Sequence, residues 1–168
     1  DKSQENCFSF GSHADYYVEN GMGRYITIDE AKEIVKKNEE EGLVMQPFNS
    51  RKIGGMCSCC GDCCGVLRSL KMHPTPAKMV QSNYFARVDE AECTGCETCL
   101  DRCQIEAIDV TDGIAAIDLE RCIGCGLCVT TCPTEAIELI KKPEDQLYEP
   151  PRTGVETYIR IMQERGKI

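Results

Sequence analysis

Tryptophan is absent from this 168-residue chain, and phenylalanine and tyrosine together supply only 6% of it. So few large rings make a modest organic core, and the length suits one domain with appendages or two small ones. No apolar run approaches the roughly 20 residues of a membrane-crossing helix, and residues 1–30 hold no apolar signal-peptide core. Bases are outnumbered: 19 Lys and Arg against 28 Asp and Glu leave a formal net charge of −9. Such a surface repels nucleic acid and anionic membranes, and it suits docking against a basic patch on a protein partner. Gly21-Met22-Gly23 has no strand–helix–strand pattern before it, so it supports no flavin or nucleotide site. An initial Met is missing too; the chain opens Asp1-Lys2-Ser3, which points to a fragment or a processed product.

Cysteine is what the chain has in excess, with 14 residues. Eight of them form two runs, Cys93-x2-Cys96-x2-Cys99-x3-Cys103 and Cys122-x2-Cys125-x2-Cys128-x3-Cys132-Pro133. Three thiolates at two-residue gaps wrap one face of an iron–sulfur cube, and the fourth, after a longer gap, turns away to the other cube. The spacing therefore predicts two [4Fe–4S] clusters with crossed ligands. Cys93, Cys96, Cys99 and Cys132 would hold one, and Cys122, Cys125, Cys128 and Cys103 the second. Zinc sites pair two-Cys knuckles rather than runs of three, and a disulfide scaffold belongs in a secreted chain. Reduced thiols and oxygen-sensitive clusters place the expected site of action in the cytoplasm of an anaerobic or micro-aerobic cell.

The two runs belong to an internal repeat with an offset of 29 residues, which also carries Gly95 onto Gly124 and Glu106-Ala107-Ile108 onto Glu135-Ala136-Ile137. A repeat of this kind predicts two like halves, each a strand, a cysteine loop, a short helix and a strand. Asp112-Gly113 between apolar runs reads as a tight hairpin turn. Ile105, Ile108, Ile123, Leu127, Val129 and Ile137 suit a low-dielectric jacket around the cysteines, and the same residues serve equally as plain core.

A second dense block comes earlier: Cys57, Cys59, Cys60, Cys63 and Cys64 fall within eight residues. Cys57-x2-Cys60-x2-Cys63 repeats the later spacing, so a third site is a candidate, with Cys64, Cys7 or an upstream residue as its fourth ligand. Three readings stay open for it: a third iron–sulfur cluster, zinc, or thiol and disulfide chemistry without metal. Elsewhere the pattern is helical. Thr27-Ile28-Asp29-Glu30 is a capping box, followed by an apolar face of Ile28, Ala31, Ile34 and Val35 and by Gly42 as a stop, giving a helix over 28–41. A short helix is expected around 13–19, another over 66–72 ended by His73-Pro74, where His73 reads as a turn residue, and a third after Pro76. Residues 43–56 read as a connection or short extended pieces. After Glu149-Pro150-Pro151, Thr153 opens a tail helix whose Val155, Tyr158, Ile159 and Met162 form a stripe expected to dock on the chain itself.

On these motifs residues 84–142 resemble the bacterial two-[4Fe–4S] ferredoxin family. One departure is Gln104, which stands where the first run usually carries Pro. A wider resemblance, on Cys7-Phe8-Ser9-Phe10-Gly11, the 57–65 block and the ferredoxin-like unit in this order, is to the C-terminal part of a family of larger anaerobe iron–sulfur proteins. Cys59-Cys60-Gly61 and Cys63-Cys64-Gly65 also resemble the Cys-Cys-Gly segments of heterodisulfide-reductase-type subunits, although those lie far apart. The resemblance implies an α+β fold: a ferredoxin-like domain over 83–142 with pseudo-two-fold symmetry, preceded by a small, mostly helical Cys-rich region over 1–82 and followed by a linker and tail helix over 143–168. It implies electron transfer, as a soluble carrier or as a module of a larger redox complex, rather than an enzyme acting alone. Two other functions are consistent with the cysteines: a reductase subunit using the 57–65 block, or a redox or metal sensor.

Much of the folding energy of a chain with so small a core comes from its metal. Chelating the iron anaerobically is expected to unfold the cysteine-rich half, read as loss of native circular dichroism. A demonstrably iron-free sample with native circular dichroism would overturn this.

Overall fold

A computed structural model of the protein describes residues 3 and 5–168. In chain order its elements are β1 (Cys7–Ser9), α1 (Ser12–Glu19), α2 (Ile28–Glu40), β2 (Val44–Pro47), β3 (Gly55–Cys59), α3 (Gly65–Met72), β4 (Tyr84–Val88), α4 (Thr98–Arg102), β5 (Ile108–Thr111), β6 (Ile114–Ile117), α5 (Leu127–Thr131), β7 (Ile137–Lys141) and α6 (Gly154–Glu164). Single 3-10 turns stand at Pro76–Lys78 and Glu144–Gln146. Among the described residues no helix is long and apolar enough to cross a membrane. The chain folds into two compact units, one of residues 1–41, 45–58 and 149–168, the other of 42–44 and 59–148. Residues 59–82 thus belong with the ferredoxin-like segment, on the far side of the expected boundary at 82/83.

The second unit is built on two antiparallel pairs. β4 lies against β7 from Tyr84 opposite Lys141 to Val88 opposite Ile137, and β5 lies against β6 from Ile108 opposite Ile117 to Thr111 opposite Ile114. The β5–β6 turn is Asp112-Gly113 with φ of 53° and 78°, the pair of positive angles a two-residue hairpin of matching twist requires. Each cysteine loop ends in a left-handed residue, Glu97 (φ 64°) before α4 and Gly126 (φ 82°) before α5, and α4 packs on α5. The helices thus start 29 residues apart, at Thr98 and Leu127, and positive φ recurs at the same offset in Glu106 (53°) and Glu135 (56°).

Gly95 and Gly124 are dictated twice over. Their φ values are 64° and 66°, and a Cβ would stand 2.3 Å from the Gly113 carbonyl oxygen at the first and 2.1 Å from that of Tyr84 at the second. Two apolar clusters fill the unit. One joins Val44, Leu67, Ile105, Ala107, Ile123 and Leu127, and the other joins Ala86, Cys99, Ile108, Ala115, Cys128 and Ile137, with Val129 packed against it. Leu67 of α3 has no exposed surface, so its burial fastens α3 to the loops that follow α4 and precede α5. At about 25 cal/mol per Å² of apolar surface, a buried leucine contributes on the order of 2 kcal/mol.

In the first unit β1 runs antiparallel to β3, with Cys7 opposite Cys57 and Ser9 opposite Gly55, and the sheet order is β1-β3-β2. The expected helices of the region over 1–82 are α1, α2 and α3, and the structure adds to them this small three-stranded sheet. Strands of three to five residues, Cys-Phe-Ser in β1 and Gly-Met-Cys-Ser-Cys in β3, are too short to offer an alternation to read. Close approach settles them: a Cβ on Gly55 would lie 3.1 Å from the Phe8 carbonyl oxygen.

Thr27 caps α2 by accepting from the Glu30 amide at 3.2 Å. The reciprocal half of that box is missing, because the Glu30 carboxylate pairs with Arg24 at 2.6 Å. Of the expected face of α2, Ala31, Ile34 and Val35 are half-buried, but Ile28 is 76% exposed and the buried residue of that face is Asn38. Thr153 caps α6, accepting from the Glu156 amide at 3.3 Å, but no residue of α6 is buried. The helix is held by polar contacts such as Thr157 Oγ1 donating to the Asn49 carbonyl at 2.7 Å, so the expected docking of its stripe on the chain itself is not observed. The short helix expected after Pro76 is a single 3-10 turn, Pro76–Lys78.

Gly113→Ala meets nothing within 4 Å but keeps a φ of 78°, whereas Gly124→Ala adds a collision with the Tyr84 carbonyl. Left-handed backbone alone costs an alanine about 1–2 kcal/mol. Denaturant titration should give a loss of that size for Gly113→Ala and a clearly larger one, with loss of bound iron, for Gly124→Ala.

Candidate metal centres

The folding of the two loops creates two voids in the second unit, each of mixed parentage. One, of about 320 Å³ and partly open to solvent, is lined by Cys93, Cys96, Cys99 and Cys132 together with Ala115 and Ile137. The other, of about 350 Å³, is lined by Cys103, Cys122, Cys125 and Cys128 together with Arg102 and Ile123. Each void thus gathers three cysteines of one run and the last cysteine of the other. Among the described residues no three His, Cys, Asp or Glu side chains converge closely enough for a single ion. Four soft thiol donors spread around a void fit a polynuclear iron–sulfur core, whereas a mononuclear zinc needs its four ligands at about 2.0–2.3 Å from one point.

Main-chain amides and hydroxyls are aimed at these sulfurs. The Ala107 amide donates to Cys103 Sγ at 3.1 Å and the Ala115 amide to Cys93 Sγ at 3.4 Å. Thr98 Oγ1 lies 3.4 Å from Cys96 Sγ, and its hydrogen bonds hold the Cys96 thiol below the ordinary range. At Cys132, burial pushes upward but is outweighed by hydrogen bonds from the Thr134 hydroxyl and from the amides of Thr134, Ala136 and Ile137, so the net direction is downward. Ala136 stands 29 residues after Ala107, so the amide support repeats with the chain. Burial wins at Cys99, which is raised, and at Cys128, which is pushed up to about 12. Those two thiols are neutral without a compensating cation, and loading the voids therefore displaces protons.

The six cysteines of the candidate third site do not fall in one unit. Cys7 and Cys57 face each other in the β1–β3 pair, between the bonds Ser58 N to Asn6 O at 3.1 Å and Phe10 N to Gly54 O at 3.0 Å. Both border a solvent-open void of about 1690 Å³, which Arg24 and His13 also line. Cys59, Cys60, Cys63 and Cys64 belong to the second unit. There Cys60 Sγ and Cys63 Sγ are 3.3 Å apart, which pushes the Cys63 thiol upward, while Cys59 and Cys64 pack on the same apolar cluster as Cys103 and Cys122.

Gln104 occupies the place where the resemblance leads one to expect Pro. Its carboxamide Oε1 accepts from the Gly61 amide at 2.7 Å, and a Cβ on Gly61 would be 2.6 Å from the Gln104 carbonyl oxygen. A proline could not supply that acceptor. The departure from the pattern is therefore the contact that seats the Cys60–Cys63 turn beside Cys103.

Sequence reading passed over Arg121. Its guanidinium donates to four main-chain carbonyls, those of Lys71 (3.0 Å), His73 (3.2 Å), Ile105 (2.8 Å) and Glu106 (3.0 Å), tying the end of α3 to the segment after Cys103. The available signal was a break in the repeat, since the position 29 residues earlier is the oppositely charged Glu92. Lysine keeps the charge but not the planar fork. Arg121→Lys should lower stability by about 2 kcal/mol or more in urea unfolding, because several carbonyls lose a charged donor; an unchanged midpoint would contradict the clamp.

A family model described as a 4Fe-4S dicluster domain matches residues 86–139. No curated protein matches the chain. The stretch from β4 through β7 is thus an iron–sulfur, ferredoxin-like segment, of the kind that serves electron transfer.

Proposed function

We propose that the protein is an electron-transfer module in which residues 84–142 hold two [4Fe–4S] clusters as in bacterial two-cluster ferredoxins, the halves related by a pseudo-two-fold axis. Cys93, Cys96, Cys99 and Cys132 ligate one cluster, and Cys103, Cys122, Cys125 and Cys128 the other. The observation that carries this reading is the composition of the two voids, each lined by three cysteines of one run and the fourth of the other. Bound in such a cage, a [4Fe–4S] cluster exchanges one electron at a potential set by charge, hydrogen bonding to sulfur and exposure, over a range of roughly −700 to +450 mV.

The chain's own residues do the rest. Ala107 and Ala115 amides stabilise charge on sulfur. Ile108, Ile123, Leu127 and Ile137 keep water from the interior side. Cys96 is the exposed cysteine of its set, its thiol held low by Thr98, and it marks where an electron enters or leaves. With a formal charge of −9, made more negative by four thiolates per cluster, the surface suits a redox protein that presents a basic patch. The setting is the cytoplasm, as a soluble carrier or within a larger redox complex.

Anaerobic iron analysis of the full chain should return about eight iron atoms. Cys132→Ala should disrupt the cluster held by Cys93, Cys96 and Cys99 and leave about four, with one set of paramagnetic signals remaining after reduction. If Cys132→Ala instead removed the cluster of Cys122, Cys125 and Cys128, the crossed assignment would be wrong.

A further inference from the structure

We propose that Cys60 and Cys63 form a reversible dithiol–disulfide couple that exchanges electrons with the cluster ligated by Cys103. The partnership with the cluster rests on the ligand assignment above; the couple itself rests on geometry within the second unit. The two sulfurs stand 3.3 Å apart, so a closure of about 1.3 Å makes a bond of ordinary length. The turn that carries them is closed by the Cys64 amide donating to the Cys60 carbonyl at 3.2 Å. It is clamped from outside, with Gly61 buried and its amide held by the Gln104 carboxamide at 2.7 Å. A loop pinned in this way brings its thiols together at little further entropic cost.

The position of the pair matters as much as its spacing. Gln104 follows Cys103 directly, and the Gly61 backbone is pressed against the Gln104 carbonyl, so the turn is held by the residue next to a cluster ligand. Cys59 and Cys64, which flank the pair, pack on the apolar cluster that Cys103 and Cys122 also join. Cys60 is 8% exposed while Cys63 is exposed. That asymmetry assigns Cys63 as the sulfur that meets a substrate and Cys60 as the resolving one.

The chemistry balances. Reduction of the Cys60–Cys63 disulfide consumes two electrons and two protons and yields two thiols. The electrons arrive singly by way of the cluster at Cys103, from a low-potential one-electron donor. The dithiol then reduces a substrate disulfide by exchange. Cys63 thiolate attacks one substrate sulfur and expels the other as a thiolate. Cys60 thiolate next attacks Cys63 Sγ in the mixed disulfide, expelling the second substrate sulfur as a thiolate and restoring the Cys60–Cys63 bond. The substrate class is thus an accessible disulfide, on a protein or a small molecule.

The test uses the full, iron-loaded chain, equilibrated anaerobically in glutathione buffers of graded ratio, quenched in acid, alkylated and mapped by peptide mass. The expected result is a reversible loss of two hydrogens confined to Cys60 and Cys63. Reductive titration of the oxidised chain with a one-electron donor should consume about four electrons, two for the clusters and two for the disulfide, and about two in Cys63→Ser, with iron unchanged. The couple is overturned if Cys60 and Cys63 stay reduced throughout, if either pairs instead with Cys59 or Cys64, or if Cys63→Ser loses iron, which would make the block a metal ligand set. Cys60→Ser serves if Cys63→Ser does not fold, and the mapping of the unmodified chain needs neither. Iron content and cluster spectra report on the electron-transfer reading separately, so its failure would appear as missing iron with the disulfide map intact.

Discussion

Close approach of main chain to main chain governs the cysteine-rich unit. At Gly95 and Gly124 another strand's carbonyl oxygen sits where any side chain would begin, 2.3 Å and 2.1 Å from an added Cβ. Because the hairpin turn at Gly113 and the start of β4 at Tyr84 press into the two loops at these points, the loops are forced to curl. Left-handed residues at Glu97 and Gly126 complete the curl and launch the short helices. The curl brings three sulfurs of each run to one void, and the packing of α4 on α5 delivers the fourth from the other run. Without those two contacts there is no reason for eight cysteines to divide into two mixed sets.

The same unit carries an addition on one side only. Arg121 breaks the charge pattern of the repeat and ties the end of α3 to the carbonyls after Cys103, while Gln104 breaks the proline pattern and holds the Gly61 amide. Two departures from symmetry thus serve one purpose, fastening residues 59–73 to the loop that supplies Cys103. In physical terms this ties the Cys60–Cys63 turn to the segment that follows Cys103. On the proposed reading, the dithiol beside one centre couples one-electron traffic to two-electron chemistry, a step that neither half of the repeat performs alone.

The ferredoxin-like segment was legible because its signals are local. Ligand spacing, the Asp112-Gly113 turn, the glycine in each loop and the isoleucines after each run all act within a few residues of themselves, and the turn and both loop glycines have the positive φ that their sequence calls for. The earlier stretch was less legible. Strands of three to five residues are too short to carry a readable periodicity, so β1, β2 and β3 are products of pairing rather than of propensity. The capping boxes were readable as N-caps, yet their carboxylates went elsewhere, Glu30 to Arg24 and Glu156 to the Arg152 amide at 3.0 Å. Ile28 fell outside the buried face of its helix and Asn38 within it.

By itself the sequence determined the number and spacing of thiols, the repeat that makes two like halves, and the acidity of the surface, since each is a property of composition or of neighbours along the chain. Tertiary structure alone decided which cysteines beyond the eight come together. Cys57, Cys60 and Cys63 share the spacing of a cluster loop, but the chain passes from one unit to the other between Ser58 and Cys59. Cys57 is left opposite Cys7, and Cys60 is set against Cys63. Spacing describes what a loop is able to wrap; which sulfurs meet depends on hydrogen bonds and apolar contacts from residues 40 or more positions away, such as Gln104 to Gly61.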